Sequence, residues 1–437
     1  MVSIDSFMKK HAMKEGDRIR VESDKCLIEG NVLPSKNGFL DLKLDSGYNA
    51  GIELSKIKSL KTLGSEKKVG KAKIQKIKQD FSLPLISIVH TGGTIASRIN
   101  YKTGGVVAGF DAEDILSMYP ELSGIARVNC VFAENIMSED IGFLHYSKIA
   151  RAVKKEIEKG SQGIIVTHGT DTLHYTAAAL SFMFEELPVP VLLVGSQRSS
   201  DRPSSDAGMN LICAARFITK TDFGGVALCM HSDSSDSFCA VLPGTSTRKM
   251  HTSRRDAFKA INSNPIAEIN YANGEIKFNS MNYPKKNSSK KCSVKEKFEE
   301  KVGILRARPN LQPEEIDFYR KAKFKGLILE STGIGHMPMN TKENAVNKMA
   351  LEKLIKSGCV VCVTSQCIFG RVHESIYTNS RALSKLGAIF LEGMTTETAL
   401  VKLAWLLANE PKKAKGLMPK NLRGEISERR LIGEFEP

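Results

Sequence analysis

The sequence predicts an α/β protein with mainly parallel sheets, fronted by a small β-barrel module. Three observations carry that expectation. From Pro84 onward, runs of strand length (LISIVH, GIIVTH, VPVLLVGS and GGVALCMH, later KGLILEST and GCVVCVTSQ) alternate with helical patterns. Those runs are apolar almost throughout, as strands buried on both faces of a parallel sheet are. Ahead of them, DRIRVES and FLDLKLDSG alternate polar with apolar residues, and Gly30, Gly38 and Gly47 punctuate the turns.

Taken in order, residues 1–80 form a small β module plus a basic linker. The module itself, residues 14–63, has no cluster of His, Cys or acidic residues, so docking or scaffolding is its expected use. In the linker, Lys67, Lys68, Lys71, Lys73, Lys76 and Lys78 crowd a stretch poor in apolar residues, the pattern of a solvated extension. Residues 84–278 form a first α/β domain, with helices expected at HYTAAALSFMFEEL and DAGMNLICAARFITK. A basic connection spans 279–322, and a second α/β domain with a tail spans 323–437. The latter contains helices TKENAVNKMALEKLIKS and TTETALVKLAWLLANE. Thr395 suits the N-cap of the last helix, Leu400, Leu403 and Leu407 repeat on one face, and Pro411 ends it.

Composition narrows the function classes. Of 437 residues 41% are hydrophobic, enough for sizeable cores, yet no run approaches the roughly 20 apolar residues of a bilayer span. No signal-peptide pattern opens the chain, so a cytoplasmic protein without membrane attachment is expected. Nine scattered cysteines fit reduced thiols; Cys359 and Cys362 lie inside an apolar strand pattern, and no second pair completes a metal site. A net charge of +15 favours an acidic partner such as nucleic acid.

Two strand ends stand out as places for chemistry, because ligands of parallel sheets bind beyond the carboxyl ends of strands. One is TGGTIAS, residues 91–97; the other is THGTDT, residues 167–172, leading into a helix whose first amides suit an anion or oxyanion. Either alone is compatible with a helix-capping Gly-Thr turn. TGGTIAS lacks both the glycine spacing of a dinucleotide site and the lysine of a P-loop.

Together the two tracts resemble the paired signatures of the bacterial-type asparaginase/glutaminase family, over about residues 84–410. The resemblance implies Thr94 as nucleophile, Tyr101 in NYKTGG as its activator, and Thr170, Asp171 and Lys249 (in GTSTRKMHTSRRDAF) as hydroxyl, carboxylate and amine. It places Ser138 and Glu139, in NIMSED, at the substrate's carboxylate and ammonium; some family members carry glutamine where this chain has Glu139. Amide hydrolysis through an acyl-enzyme needs such a set: a nucleophile, a base and an oxyanion site. The eighty residues before LISIVH, the SQRSSDRPSSDAGMNL stretch and the LRGEISERR tail resemble the D-type, asparaginase-like subunits of archaeal glutamyl-tRNA(Gln) amidotransferases. That resemblance implies a glutaminase feeding ammonia to the E-type partner of the same amidotransferase. There ATP and magnesium activate Glu-tRNA(Gln); this chain would hold no metal or cofactor. It also implies a homodimer within a heterotetramer. The alternatives are a stand-alone L-asparaginase/glutaminase, or a tRNA-binding scaffold without catalysis; the intact Thr94, Thr170, Asp171 and Lys249 speak against the latter.

Overall fold

A computed structural model describes residues 3–23, 27–35, 38–44, 49–65, 79–93, 97–100, 105–108, 112–200 and 204–427. A short helix, α1 (Ile4–Lys10), precedes five strands: β1 (Asp17–Ser23), β2 (Leu27–Val32), β3 (Phe39–Lys43), β4 (Asn49–Glu53) and β5 (Ile57–Ser65). They form an antiparallel sheet of order β4-β3-β2-β1-β5, without pairing between the edge strands among the described residues. Alternation does the work expected of it: Ile19 and Val21 of β1 are fully buried, and Ile4 of α1 joins them in a core of the module's own. Most of the lysine-rich linker lies outside the described residues.

The first α/β unit is built on β6 (Leu85–His90), β7 (Ser97–Asn100), β8 (Gly105–Ala108), β9 (Arg127–Phe132), β10 (Gly163–Thr167), β11 (Phe184–Glu186), β12 (Val191–Val194), β13 (Val226–His231) and β14 (Phe238–Pro243). After these come β15 (Thr247–Lys249), β16 (Phe258–Ala260), β17 (Ala267–Asn270) and β18 (Ile276–Phe278). Its eight-stranded sheet has the order β18-β17-β14-β13-β12-β10-β6-β9; the run from β13 to β9 is parallel, and the other three strands are antiparallel. Helices α2 (Ala112–Met118), α3 (Phe143–Glu158), α4 (Leu173–Met183) and α5 (Ala207–Lys220) pack on its faces. The helix expected to run through FEEL stops at Met183, because Phe184–Glu186 instead pairs with β19 (Ser293–Val294). This is tertiary context overriding helix pattern.

The second unit starts earlier than residue 323. Strand β20 (Val302–Arg306) pairs in parallel with β21 (Gly326–Ser331), and α6 (Pro313–Lys321) lies between them, so 302–321 belong to this unit and not to the connection. The sheet continues through β22 (Val360–Ser365) to β23 (Ile389–Phe390), all parallel, with helices α7 (Ala345–Lys356), α8 (Thr378–Lys385) and α9 (Thr396–Asn409). Thr395 caps α9, its hydroxyl accepting from Thr398 N at 3.3 Å. Cys359, just before β22, and Cys362 within it belong to cores on opposite faces of the sheet, so this C-x-x-C is no pair. Burial pushes the Cys359 thiol up to about 12.

Both units contribute to one core: Val89 and Ile164 share it with Ile328, Cys362 and Trp405. Phe182 of α4 and Trp405 of α9 stack across this junction at 6.0 Å. The connection is tied down as well. Lys285 pairs with Asp222 at 2.7 Å and Lys295 with Glu185 at 2.7 Å and Glu410 at 3.0 Å, so part of its charge is spent on internal pairs. Among the described residues no helix is long and apolar enough to cross a membrane.

Candidate active site

Strands β6 and β10 are neighbours in parallel register, His90 beside Thr167, so both sequence tracts leave the sheet from one edge. The first is pinned to the second: the hydroxyl of Thr91 donates to the Thr167 carbonyl at 2.9 Å, and His90 Nδ1 meets Thr167 Oγ1 at 2.7 Å. Gly93 has φ +83°, and a Cβ there would fall 2.5 Å from Gly169 N. Only glycine lets the two backbones approach this closely. Gly169 in turn lies against Ser138, where an added Cβ would be 2.8 Å from Ser138 Cβ. Three tracts distant in sequence thus meet at the carboxyl edge of the sheet.

Lys249 reaches this meeting point from the β15–β16 hairpin. Its Nζ donates to Thr170 Oγ1 and to Asp171 Oδ1, each at 2.8 Å. The lysine side chain is 10% exposed while that of Asp171 is 66% exposed, so the amine is enclosed and the carboxylate faces outward. Ser138 is buried; its Oγ accepts from Asp171 N at 3.3 Å, and its carbonyl accepts from Thr172 Oγ1 at 2.5 Å. Glu139, the next residue in that turn, is exposed. Ser138, Thr170, Asp171 and Lys249 are therefore brought together. Thr94 and Tyr101 lie outside the described residues, as does part of the loop between them; Ser97–Asn100 and Gly105–Ala108 pair as a hairpin.

Behind the site stand three buried histidines that the sequence reading passed over. His168 Nδ1 faces the Gly169 carbonyl at 2.6 Å, and its Nε2 meets Thr176 Oγ1 at 2.8 Å, which fixes the Nδ1–H tautomer. Burial holds His90 and His168 down at about 4 and His174 at about 3, with the cations Arg248 and Lys249 adding to the last. All three are neutral at pH 7. Arg248 was missed too: adjacent to Lys249, its Nη2 pairs with Glu397 Oε1 of α9 at 3.2 Å. Adjacency to the lysine was the one available signal for it. Among the described residues no group of three or more His, Cys, Asp or Glu is placed to hold a metal ion.

Comparison with known proteins divides the chain as the structure does. Residues 13–63 match the GatD N-terminal domain, 85–283 the asparaginase N-terminal domain, and 301–417 the glutaminase/asparaginase C-terminal domain. The GatD subunit of the glutamyl-tRNA(Gln) amidotransferase from Thermococcus kodakarensis is 43% identical over 437 residues, covering 97% of both chains. This chain belongs to the GatD family. The same-named protein of Methanosarcina mazei is 45% identical, covering 95% of this chain and 98% of its own. Among solved structures, a thermostable L-asparaginase from T. kodakarensis is 30% identical with a TM-score of 0.69, covering 79% of this chain and all of that one. L-asparaginase I from Vibrio cholerae is 28% identical with a TM-score of 0.68. The GatD likeness therefore includes the N-terminal module, and the L-asparaginase structures cover 79% of this chain.

Proposed function

We propose that this chain is the glutamine-hydrolysing subunit of a glutamyl-tRNA(Gln) amidotransferase. The observation that carries the reading is the convergence of Lys249 Nζ on Thr170 Oγ1 and Asp171 Oδ1, beside the glycine that precedes Thr94. In this reading the Thr94 hydroxyl attacks the γ-carbonyl carbon of glutamine, assisted by Tyr101. The C–N bond then breaks, and ammonia leaves with the proton taken from the hydroxyl. Water next attacks the glutamyl ester, releasing glutamate and restoring Thr94. Lys249, enclosed and bonded to the Thr170 hydroxyl, suits proton movement in these steps. Amides at the start of α4 suit developing negative charge. Ser138 and Glu139 hold the substrate's carboxylate and ammonium, with Asp171 assisting at the ammonium.

The ammonia passes to the E-type partner, where ATP and Mg²⁺ activate the γ-carboxylate of Glu-tRNA(Gln). The chain acts as a homodimer within a heterotetramer in the cytoplasm, and the N-terminal module docks the partner. The rival, a free L-asparaginase, draws on the likeness to the L-asparaginase structures. Ammonia release from glutamine and asparagine, measured for the chain alone and then with its partner and Glu-tRNA(Gln), separates the two. Strong stimulation by the tRNA-loaded complex is expected, with Lys249→Met lowering turnover by on the order of 10²–10⁴. Full asparagine turnover by the chain alone, unchanged by the partner, would overturn the proposal.

A further inference from the structure

The strand that carries Lys249 is held from outside its own sheet. Strand β15 pairs only with β16 among the described residues, in a two-stranded ribbon. Besides first-unit bonds such as that of Thr247 Oγ1 to the Pro243 carbonyl at 2.6 Å, the second unit supplies further anchors. The Thr245 carbonyl accepts from Thr398 Oγ1 at 2.8 Å, and the Thr245 hydroxyl donates to the Arg423 carbonyl at 3.1 Å. Ser246 Oγ donates to the Gly424 carbonyl at 3.0 Å. The Arg423–Gly424 segment is itself locked to α9, because Glu425 Oε1 meets Lys402 Nζ at 2.6 Å with both side chains fully buried.

The last anchor is the charged one, between Arg248 and Glu397. Glu397 is 7% exposed, and its Oε2 has no hydrogen-bond partner. Burial, aided by Glu330, pushes its carboxyl upward, while Arg248 opposes that shift; Tyr175 is raised to about 12 by burial and by Glu397. A buried carboxylate with one oxygen unsatisfied is a poor way to gain stability, since apolar replacements of such pairs are often neutral or better. It is a good way to fix where a cation sits. His174, whose Nδ1 is also buried without a partner, feels the charges of both Arg248 and Lys249.

We propose that Glu397 is a positioning residue for amide hydrolysis. It acts through Arg248 to set the place of Lys249, which makes the second unit part of the catalytic apparatus of the first. The inference rests on the proposed hydrolytic reading and concerns the same site. A misplacement of about 1 Å at a reacting group can cost up to about a hundredfold in rate. Glu397→Gln keeps the volume and removes the charge. In the full chain with its partner, kcat should fall about tenfold or more while KM stays within about twofold, because ground-state binding is not touched. Thermal stability should be unchanged or higher. Arg248→Met should lower kcat similarly, and the double variant should be no worse than either single one, as for residues acting as a unit.

Rates are to be read on whichever amide the wild type turns over, glutamine or asparagine, so that a wrong substrate assignment is distinguishable from a wrong role for Glu397. If Glu397→Gln fails to fold, Arg248→Met and Arg248→Lys carry the test, with Arg248→Lys expected to recover part of the lost kcat. Unchanged kcat in the folded variants, or losses that add in the double variant, would overturn the proposal.

Discussion

The N-terminal module and the two α/β units are held together in different ways. The module has a core of its own, where Ile19, Val21, Leu40 and Leu42 are fully buried against α1 and against one another. Each α/β unit also has a core of its own on one face of its sheet, but the two units share a further core that the module does not join. Their sheets face each other across a common core, Phe182 stacks on Trp405, and the strand bearing Lys249 is anchored by residues of the other unit. A separable core allows a part to be added to an enzyme without altering it. A shared core makes two halves a single unit, and here Lys249 lies next to the residue, Arg248, that bridges them.

Acid should break the comparison most sharply. His90, His168 and His174 all lie in the first α/β unit and are depressed to about 4, 4 and 3. A depressed imidazole contributes its stability in full above its unfolded value of about 6.5 and loses it as pH falls toward the folded value, because only the unfolded chain then takes the proton. Between pH 7 and pH 4 at most about 3 kcal/mol is at stake for each. Lowering pH from 7 to 4 should therefore unfold the α/β units, seen by loss of Trp405 fluorescence, while the circular dichroism of the isolated module (residues 1–65) changes little. Equal acid sensitivity of the two parts would contradict this.

A smaller break comes from Trp405→Ala, which removes a ring that is 4% exposed at the seam. A loss of about 3–5 kcal/mol is expected, and calorimetry should show both α/β units still melting together at lower temperature. Separate transitions would show that the common core does not couple them. The mildest test is deletion of residues 1–63. The melting temperature of the α/β units should barely move, while affinity for the partner, measured by titration, falls clearly. Undiminished affinity would assign the module another use.

The tracts TGGTIAS and THGTDT were legible because each follows an apolar strand, and the structure puts both strand ends on one edge. The alternation in the module, the burial of Cys362 and the cap at Thr395 were legible too, since each depends on spacing of a few residues. What escaped depends on partners far along the chain. FEE becomes a strand only because Ser293–Val294 arrives beside it, and 302–321 join the second sheet only because β21 accepts β20. The pairing of Arg248 with Glu397 leaves no periodic mark in sequence, and helix α1 is too short to show one.

The two carbonyls that hold Thr245 and Ser246, those of Arg423 and Gly424, come 178 residues later in the chain. Synthesis proceeds from the N-terminus at about 5–20 residues per second. The ribosome thus makes the lysine strand roughly 10–35 s before the segment that secures it. A nascent chain, or one truncated before Arg423, carries every residue of the active-site tracts but lacks these two bonds to the segment ahead of Lys249. The hydrogen bonds that hold Thr245 and Ser246 can therefore form only once synthesis is nearly complete.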